Sequence, residues 1–363
     1  MSFRCVSILA SDHDLRRAVR ALPSRPSTSC TVTIPNPTVL LSPITTQEAV
    51  LSSKIEGTQA DLEDVLKFEA GEPPAEPARR EDIHEIVNYR KALRLSEQLL
   101  QDRPFCLNTL LKLHEVLMDS VRGHNKGRGR FRTIQNWIGK PGSPMEEAAF
   151  IPPAPMHLQE HLNRWEAYWH AEVPDVLVQL AIVHAQFEIL HPFIDGNGRL
   201  GRMIIPLFLF EKGILTRPCF YLSAYFEARR DEYIARLREL GERGSWTRWC
   251  RFFVEGVAVQ AGENTRKARA VQDLYERLKR QVLELTHSQF AVPLLDFVFE
   301  RPIFRSSDLT KLEHMPSAPM VSNLLGKLRR NGILQTVREG AGRRPHVLAL
   351  AELINLCEGK KVL

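Results

Sequence analysis

The sequence predicts a mainly α-helical protein, interrupted by one β-hairpin and closed by a small module of three helices and a second hairpin. Three observations point there. Helical patterning dominates most of the 363 residues. Glycine and proline crowd into residues 122–155, around two short β-prone runs. After Gly332 two more short strand-like runs flank a glycine-rich turn.

In chain order, residues 1–44 read as loop-rich, punctuated by Pro23, Pro26, Pro35, Pro37 and Pro43. A helix is expected over 46–56, stopped by Gly57, and Thr58 is placed to cap a second, with Asp61 three residues on. The acidic, proline-rich residues 71–77 form a loop, and helices resume over 81–99 and 107–119. Residues 133–138 and 149–151 are the strands of the first hairpin. A helix over 157–170 precedes Val176–Leu190, which is apolar on nearly every side and therefore a buried central helix. Helices follow over 197–212, where Pro206 predicts a kink, and over 223–241 and 245–260. The last segment runs through helices over 266–285, 292–300, 307–313 and 317–331, then strands over 333–337 and 345–350 around a turn at 339–342. Helix, helix, helix and hairpin in that order is the layout of a winged helix-turn-helix. The domains read as an N-terminal helical region (1–105), a central core (106–262) and the C-terminal module (263–363).

Composition, at 44% hydrophobic and 25% charged residues, is that of a soluble globular protein. The one apolar run near the start, residues 6–10, is too short for a secretory signal, and no stretch is long enough to span a membrane. Cys5, Cys30, Cys106, Cys219, Cys250 and Cys357 form no CxxC pair and no metal-ligand spacing. The expectation is a cytoplasmic protein with reduced thiols. The formal charge of +6 is uneven: residues 264–363 carry 17 Lys/Arg against 10 Asp/Glu, so the basic character belongs to the C-terminal third.

The chemistry concentrates in His191-Pro192-Phe193-Ile194-Asp195-Gly196-Asn197-Gly198-Arg199-Leu200-Gly201-Arg202. Pro192 disfavours the α region at His191, so the preceding helix ends there with the imidazole at a loop edge. Gly196 and Gly198 permit a tight turn and close approach to a ligand. The helix that follows presents free N–H groups and the positive end of its dipole to an anion. Arg199 and Arg202, three residues apart, share a helix face. Asp195 is an oxygen ligand of the kind Mg²⁺ takes beside phosphates. Together these residues suit a polyphosphate.

This string resembles the signature of the Fic family, His-x-Phe-x-Asp/Glu-Gly-Asn-Gly-Arg-x-x-Arg, with every fixed position present. Thr133-Ile134-Gln135-Asn136-Trp137-Ile138-Gly139 and Ile151-Pro152-Pro153 are similar to the two strands of the family's target-binding flap. Ser52-Ser53-Lys54-Ile55-Glu56-Gly57 resembles its inhibitory-helix motif, Ser/Thr-x-x-x-Glu-Gly/Asn. The resemblance implies a protein adenylyltransferase, a nucleotidyltransferase that moves AMP from ATP to Ser, Thr or Tyr hydroxyls of target proteins and itself. It implies that His191 is the general base and Asp195 the Mg²⁺ ligand. Gly196, Asn197, Gly198, Arg199, Leu200, Gly201 and Arg202 would hold the nucleotide. Ser52 and Glu56 would be regulatory, the glutamate pairing with Arg202 to produce autoinhibition. Gly198 stands where the family's kinase variant has lysine, which favours AMP transfer; transfer of another group, or removal of AMP, stays open. Tyr221-Leu222-Ser223-Ala224-Tyr225-Phe226 also looks family-like, but Arg229 stands where many relatives have asparagine.

The C-terminal module leaves its partner open. Asn323, Lys327, Arg329 and Arg330 are polar candidates for a DNA groove, and Arg338, Arg343 and Arg344 for phosphates. Winged helices also dock proteins or form homodimers. The rival to the enzyme is therefore a DNA-binding regulator whose core senses ATP or modifies only itself.

Overall fold

The computed structural model describes residues 37–120, 126–139, 144–342 and 344–363. The expectations for Cys5, Cys30, the prolines before Pro37, Gly123, Pro141, Gly142 and Arg343 lie outside the described residues.

Helix α1 spans Pro37–Ile55, nine residues earlier than its expected start. Pro37 sits in the first turn, where a missing N–H costs nothing. Pro43 lies inside the helix, where it removes one backbone bond without breaking the run. Helix α2 (Leu62–Glu69) is capped by Asp61 rather than Thr58. The Asp61 carboxylate accepts from Asp64 N at 2.9 Å, and that of Asp64 accepts from Asp61 N at 3.1 Å, a reciprocal capping box. Then follow α3 (Pro77–Asp102), α4 (Leu107–Leu117), α5 (Pro155–His170), α6 (Val176–Leu190) and α7 (Asn197–Glu211). Instead of one helix over 223–241 there are two, α8 (Ser223–Ala228) and α9 (Arg230–Arg243), parted at Arg229 by a non-helical backbone.

Conversely, the helices expected over 245–260 and 266–285 are one, α10 (Trp246–Thr286). Gly262 has open space where a side chain would be, and no proline interrupts the run. Then come α11 (Ala291–Glu300), β1 (Ile303–Arg305), α12 (Ser306–Leu309), α13 (Ala318–Arg330), β2 (Gln335–Arg338), β3 (Val347–Ala349) and α14 (Ala351–Glu358). The fold is mainly helical, with one small antiparallel sheet of order β1-β3-β2 near the C-terminus. Ile303 pairs with Ala349 and Gln335 with Ala349 on the other side, and a bulge at Val337 shifts the register. β1 and α14 were not foreseen. Three residues of strand carry no periodicity of their own, and their pairing is fixed only by β3.

The contacts divide the chain into two units. Among the described residues the first is Asn88–Gly262, and the second joins residues 37–87 to Glu263–Leu363. In the first unit α6 packs against α5, α7 and α9. Its core is aromatic: Trp165, Trp169, Phe187, Phe208, Phe226, Trp249 and Phe253 are fully buried. In the second, α1 packs on α11 and α14, and α2 on β1. The Ser42 hydroxyl donates to the Glu300 carbonyl at 3.2 Å. Arg305 lies over Gly71, where a Cβ would sit 1.1 Å from its guanidinium, and donates to the Ala70 carbonyl.

The first hairpin is reduced to a single antiparallel bridge, Ile138 to Phe150. Pro152 and Pro153 have no N–H to extend a ladder, so pairing ends where they begin. Ile134, Trp137, Ile138 and Ile151 are exposed along it. Among the described residues no helix is long and apolar enough to cross a membrane, and Cys106, Cys219, Cys250 and Cys357 are free thiols.

Candidate active site

Asp175 starts α6 by accepting from the N–H groups of Leu177 and Val178 at 3.0 and 3.1 Å. The helix ends at His191, whose backbone is left-handed at φ 46°, ψ 59°, away from the α region as the following proline requires. For a residue with a Cβ this conformation is strained and must be held from outside. Arg132 does the holding. Its guanidinium is buried and donates to the carbonyls of His191 at 2.9 Å, Pro153 at 2.6 Å and Leu190 at 3.3 Å. Its own N–H donates to the Pro192 carbonyl at 2.9 Å. One side chain thus ties the end of α6 to both arms of the bridge segment. Burial holds the Arg132 pKa below the usual arginine range. Asn136 adds a bond to the Phe193 carbonyl at 2.9 Å.

The His191 ring has Nδ1 3.3 Å from the Glu188 carbonyl. A nitrogen facing a carbonyl oxygen carries the hydrogen, which leaves the lone pair on Nε2. The loop then turns through Phe193, Asp195 and Gly196. The Asn197 amide accepts from Phe193 N and donates to Phe193 O, both at 2.9 Å, closing the loop on itself. Gly196, at φ 79°, caps α7. A Cβ there would meet the Met118 sulfur at 2.9 Å, so glycine is required both by conformation and by space.

Below the loop lies His114 of α4, fully buried and stacked on Phe193 with ring centroids 3.8 Å apart. Gly129 N donates to its Nδ1 at 3.0 Å, so Nε2 carries the hydrogen and donates to the Asp195 carbonyl at 3.1 Å. Burial pushes the His114 pKa down to about 4, which keeps this pattern intact at neutral pH. A second buried imidazole, His184, lies in α6 two turns before His191. Its ring lies between the Gly201 carbonyl at 2.9 Å and the Tyr233 hydroxyl at 3.0 Å, and burial pushes its pKa down to about 3.

The charged residues of the motif sit on either side of the start of α7. Arg199 and Arg202 are both buried at the start of α7. Arg199 lies 3.7 Å from the Asp195 carboxylate; its side chain is 6% exposed and that of Asp195 is 44%. The Asp195 carboxylate also accepts from Gly196 N at 2.6 Å. Leu200 is a core side chain, and its N–H is used within the helix, to Gly196 O. Gly201 is where α7 meets α6: a Cβ there would stand 2.1 Å from the Glu188 carboxylate and 3.1 Å from the Phe187 ring. Residues 191–202 therefore form one loop and helix start in the first unit. Ser52 and Glu56 belong to the second unit, at the end of α1, the serine buried and the glutamate exposed. Arg229 lies over the Tyr225 ring at 4.3 Å. Sequence reading missed the supports His114, Arg132 and His184. The only signal for His114 was its place on the apolar face Leu110-Leu113-Leu117 of α4.

With this geometry in place, comparison with known proteins is direct. Residues 15–98 match the Fic/DOC family N-terminal region and residues 104–209 the Fic/DOC family proper. The chain belongs to the Fic/DOC family. It is 27% identical over 201 residues to a probable protein adenylyltransferase of Aquifex aeolicus, covering 55% of this chain and 56% of that one. It is also 27% identical over 140 residues to the protein adenylyltransferase Fic of Drosophila grimshawi, 37% of this chain and 26% of that protein. The chain thus spans about half of the bacterial relative and a quarter of the insect one. Among solved structures, a Fic family protein from Desulfovibrio desulfuricans superposes with TM-score 0.55 at 18% identity, over 96% of this chain and 97% of that one. A Fic domain containing signaling protein from Bacteroides thetaiotaomicron superposes with TM-score 0.56 at 14% identity, over 72% and 97%. These likenesses establish the fold.

Proposed function

We propose that this chain is a protein adenylyltransferase that transfers AMP from ATP, with Mg²⁺, to Ser, Thr or Tyr hydroxyls of target proteins and of itself, and that Glu56 restrains it. The observation that carries the reading is the burial of Arg199 and Arg202 at the helix start that follows His191, with the half-exposed Asp195 carboxylate 3.7 Å from Arg199. The start of α7 adds the positive end of its dipole to these two guanidinium groups. A polyphosphate suits that concentration of positive charge. The donor set fits the metal too, since Asp195 offers a solvent-facing carboxylate beside the phosphate site.

Bound Mg²⁺ neutralises phosphate charge. The remaining work falls to the chain. His191 Nε2 takes the proton from the incoming hydroxyl as its oxygen bonds to the α-phosphorus. The bond from that phosphorus to the bridging oxygen breaks, and pyrophosphate leaves. Arg199 and Arg202 stabilise charge that grows on the phosphate oxygens, and their burial makes each interaction stronger than it would be in water. The exposed bridge segment around Ile138 offers backbone groups to an extended stretch of a target. Glu56 restrains the reaction by the resemblance of its motif. The names of the relatives agree with transfer of AMP.

The deciding experiment is intact-mass analysis of Glu56→Gly after incubation with ATP, UTP or CDP-choline. The expected result is an AMP adduct with ATP that is absent in Glu56→Gly/His191→Ala. Labelling that survives loss of His191, or an adduct only from another donor, refutes the proposal.

A further inference from the structure

The second unit holds a cavity that AMP transfer does not use. It lies between α12, α13 and β3, with a volume of about 440 Å³. Its polar lining is Ser306, Ser307, Thr310, Ser322, Arg329, Arg330 and His346, over an apolar floor. Among the described residues no carboxylate lines it. The carboxylate of Glu339, on the turn after β2, lies 3.1 Å from the Arg329 guanidinium and 2.9 Å from His346 Nδ1. Residues 303–349 as a whole carry eight Lys/Arg against three Asp/Glu.

We infer that this concave face is a phosphate-backbone site for duplex DNA, with α13 as the helix laid in the major groove. The elements α11, β1, α12, α13, β2 and β3 run helix, strand, helix, helix, strand, strand, the order of a winged helix-turn-helix. Helix α13 turns Val321, Leu324, Leu325 and Leu328 inward and leaves Ser322, Asn323 and Arg330 facing solvent. Its 13 residues measure about 20 Å, long enough to follow a groove about 12 Å wide. Hydroxyls and guanidinium groups are the donors that hold phosphate oxygens and fix register. The hydroxyls of Ser306, Ser307 and Ser322 and two arginines around one hollow, without an acid in its wall, match a polyanion; the Thr310 hydroxyl already donates to the Ser307 carbonyl. A single free anion fills only a small part of the volume and leaves the adjoining helix surface unused. The inference stands apart from the transferase reading, because the binding it describes needs neither ATP nor His191.

The test uses the full chain without ATP and a fluorescent mixed-sequence DNA duplex, read by anisotropy across a salt series. Binding is expected at low salt and to weaken steeply as salt rises. Arg329→Ala and Arg330→Ala each lower affinity by roughly threefold to tenfold and flatten the salt slope by about one. Ser322→Ala weakens binding without a charge change, whereas Glu339→Ala tightens it by releasing Arg329. Lys360→Ala/Lys361→Ala, outside the cavity, has little effect. Circular dichroism melts establish that each variant is folded. No binding at the lowest salt overturns the inference, as do affinities indifferent to both arginines or lost equally with Lys360 and Lys361. Equal or tighter binding of duplex RNA, or saturation by inorganic phosphate with no response to DNA, does so as well.

Discussion

At the residue scale, the site depends on side chains that never meet a substrate. His191 is held in a left-handed backbone conformation that costs on the order of 1–3 kcal/mol unless its surroundings impose it. Arg132 imposes it through three carbonyls. Arg132→Ala leaves those oxygens buried and unsatisfied, so a loss of roughly 1–3 kcal/mol is expected in urea denaturation. The rate of AMP transfer at saturating ATP should fall at least tenfold with little change in KM, because the ring is displaced and the nucleotide grip is not. An unchanged rate would show that His191 is held by other means. The two buried imidazoles set the acid limit. The folded-state values of about 4 for His114 and about 3 for His184 lie below the ordinary 6.5. Between those values the unfolded chain binds protons that the folded chain refuses. Stability is therefore full above about pH 6.5 and falls as pH drops towards 4 and then 3. Urea midpoints between pH 7 and 4 measure this, and His114→Gln should flatten the decline.

At the element scale, the contact between α6 and α7 is set by one missing side chain. Gly201→Ala pushes a methyl into Glu188 and Phe187, where overpacking costs about 1–3 kcal/mol. A thermal melt unchanged from the parent would mean that the Glu188 carboxylate swings clear of the added methyl. Helix α2 depends on its reciprocal cap, and Asp61→Ala should cost about 1 kcal/mol. These cases also show what the sequence discloses about elements. Val176–Leu190 was legible to the residue, because an all-apolar run between Asp175 and a His-Pro pair has both ends marked. The start of α1 was not, because Pro43 reads as a stop when only its local chemistry is considered. The break at Arg229 and the continuity through Gly262 were likewise decided by packing, which outweighs the small local preferences of either residue.

At the scale of the whole molecule, α1 and Glu56 belong to the same unit as the C-terminal sheet. Lys267 of α10 is the internal tie: its ammonium donates to the Gln47 amide oxygen of α1 at 2.5 Å and to the Cys357 carbonyl of α14 at 2.8 Å. Burial holds its pKa below the usual lysine range. Lys267→Met should destabilise the chain by about 1–3 kcal/mol and loosen the helix that immediately precedes Glu56. Self-labelling, read by intact mass, should rise, though less than in Glu56→Gly. A drop in stability with labelling unchanged would separate the tie from the restraint.

What the sequence determined by itself was the local form of residues 191–202, because a loop and helix start are built from neighbours whose spacing is fixed by the backbone. It also marked the basic character of the C-terminal third, a matter of composition. Only the tertiary structure decided which distant groups complete the loop: Arg132 and His114 come from 59 and 81 residues away. It likewise decided that the three strands form one sheet and that α1 joins the C-terminal unit. Long-range burial selects such partners, and no local pattern of residues records that selection.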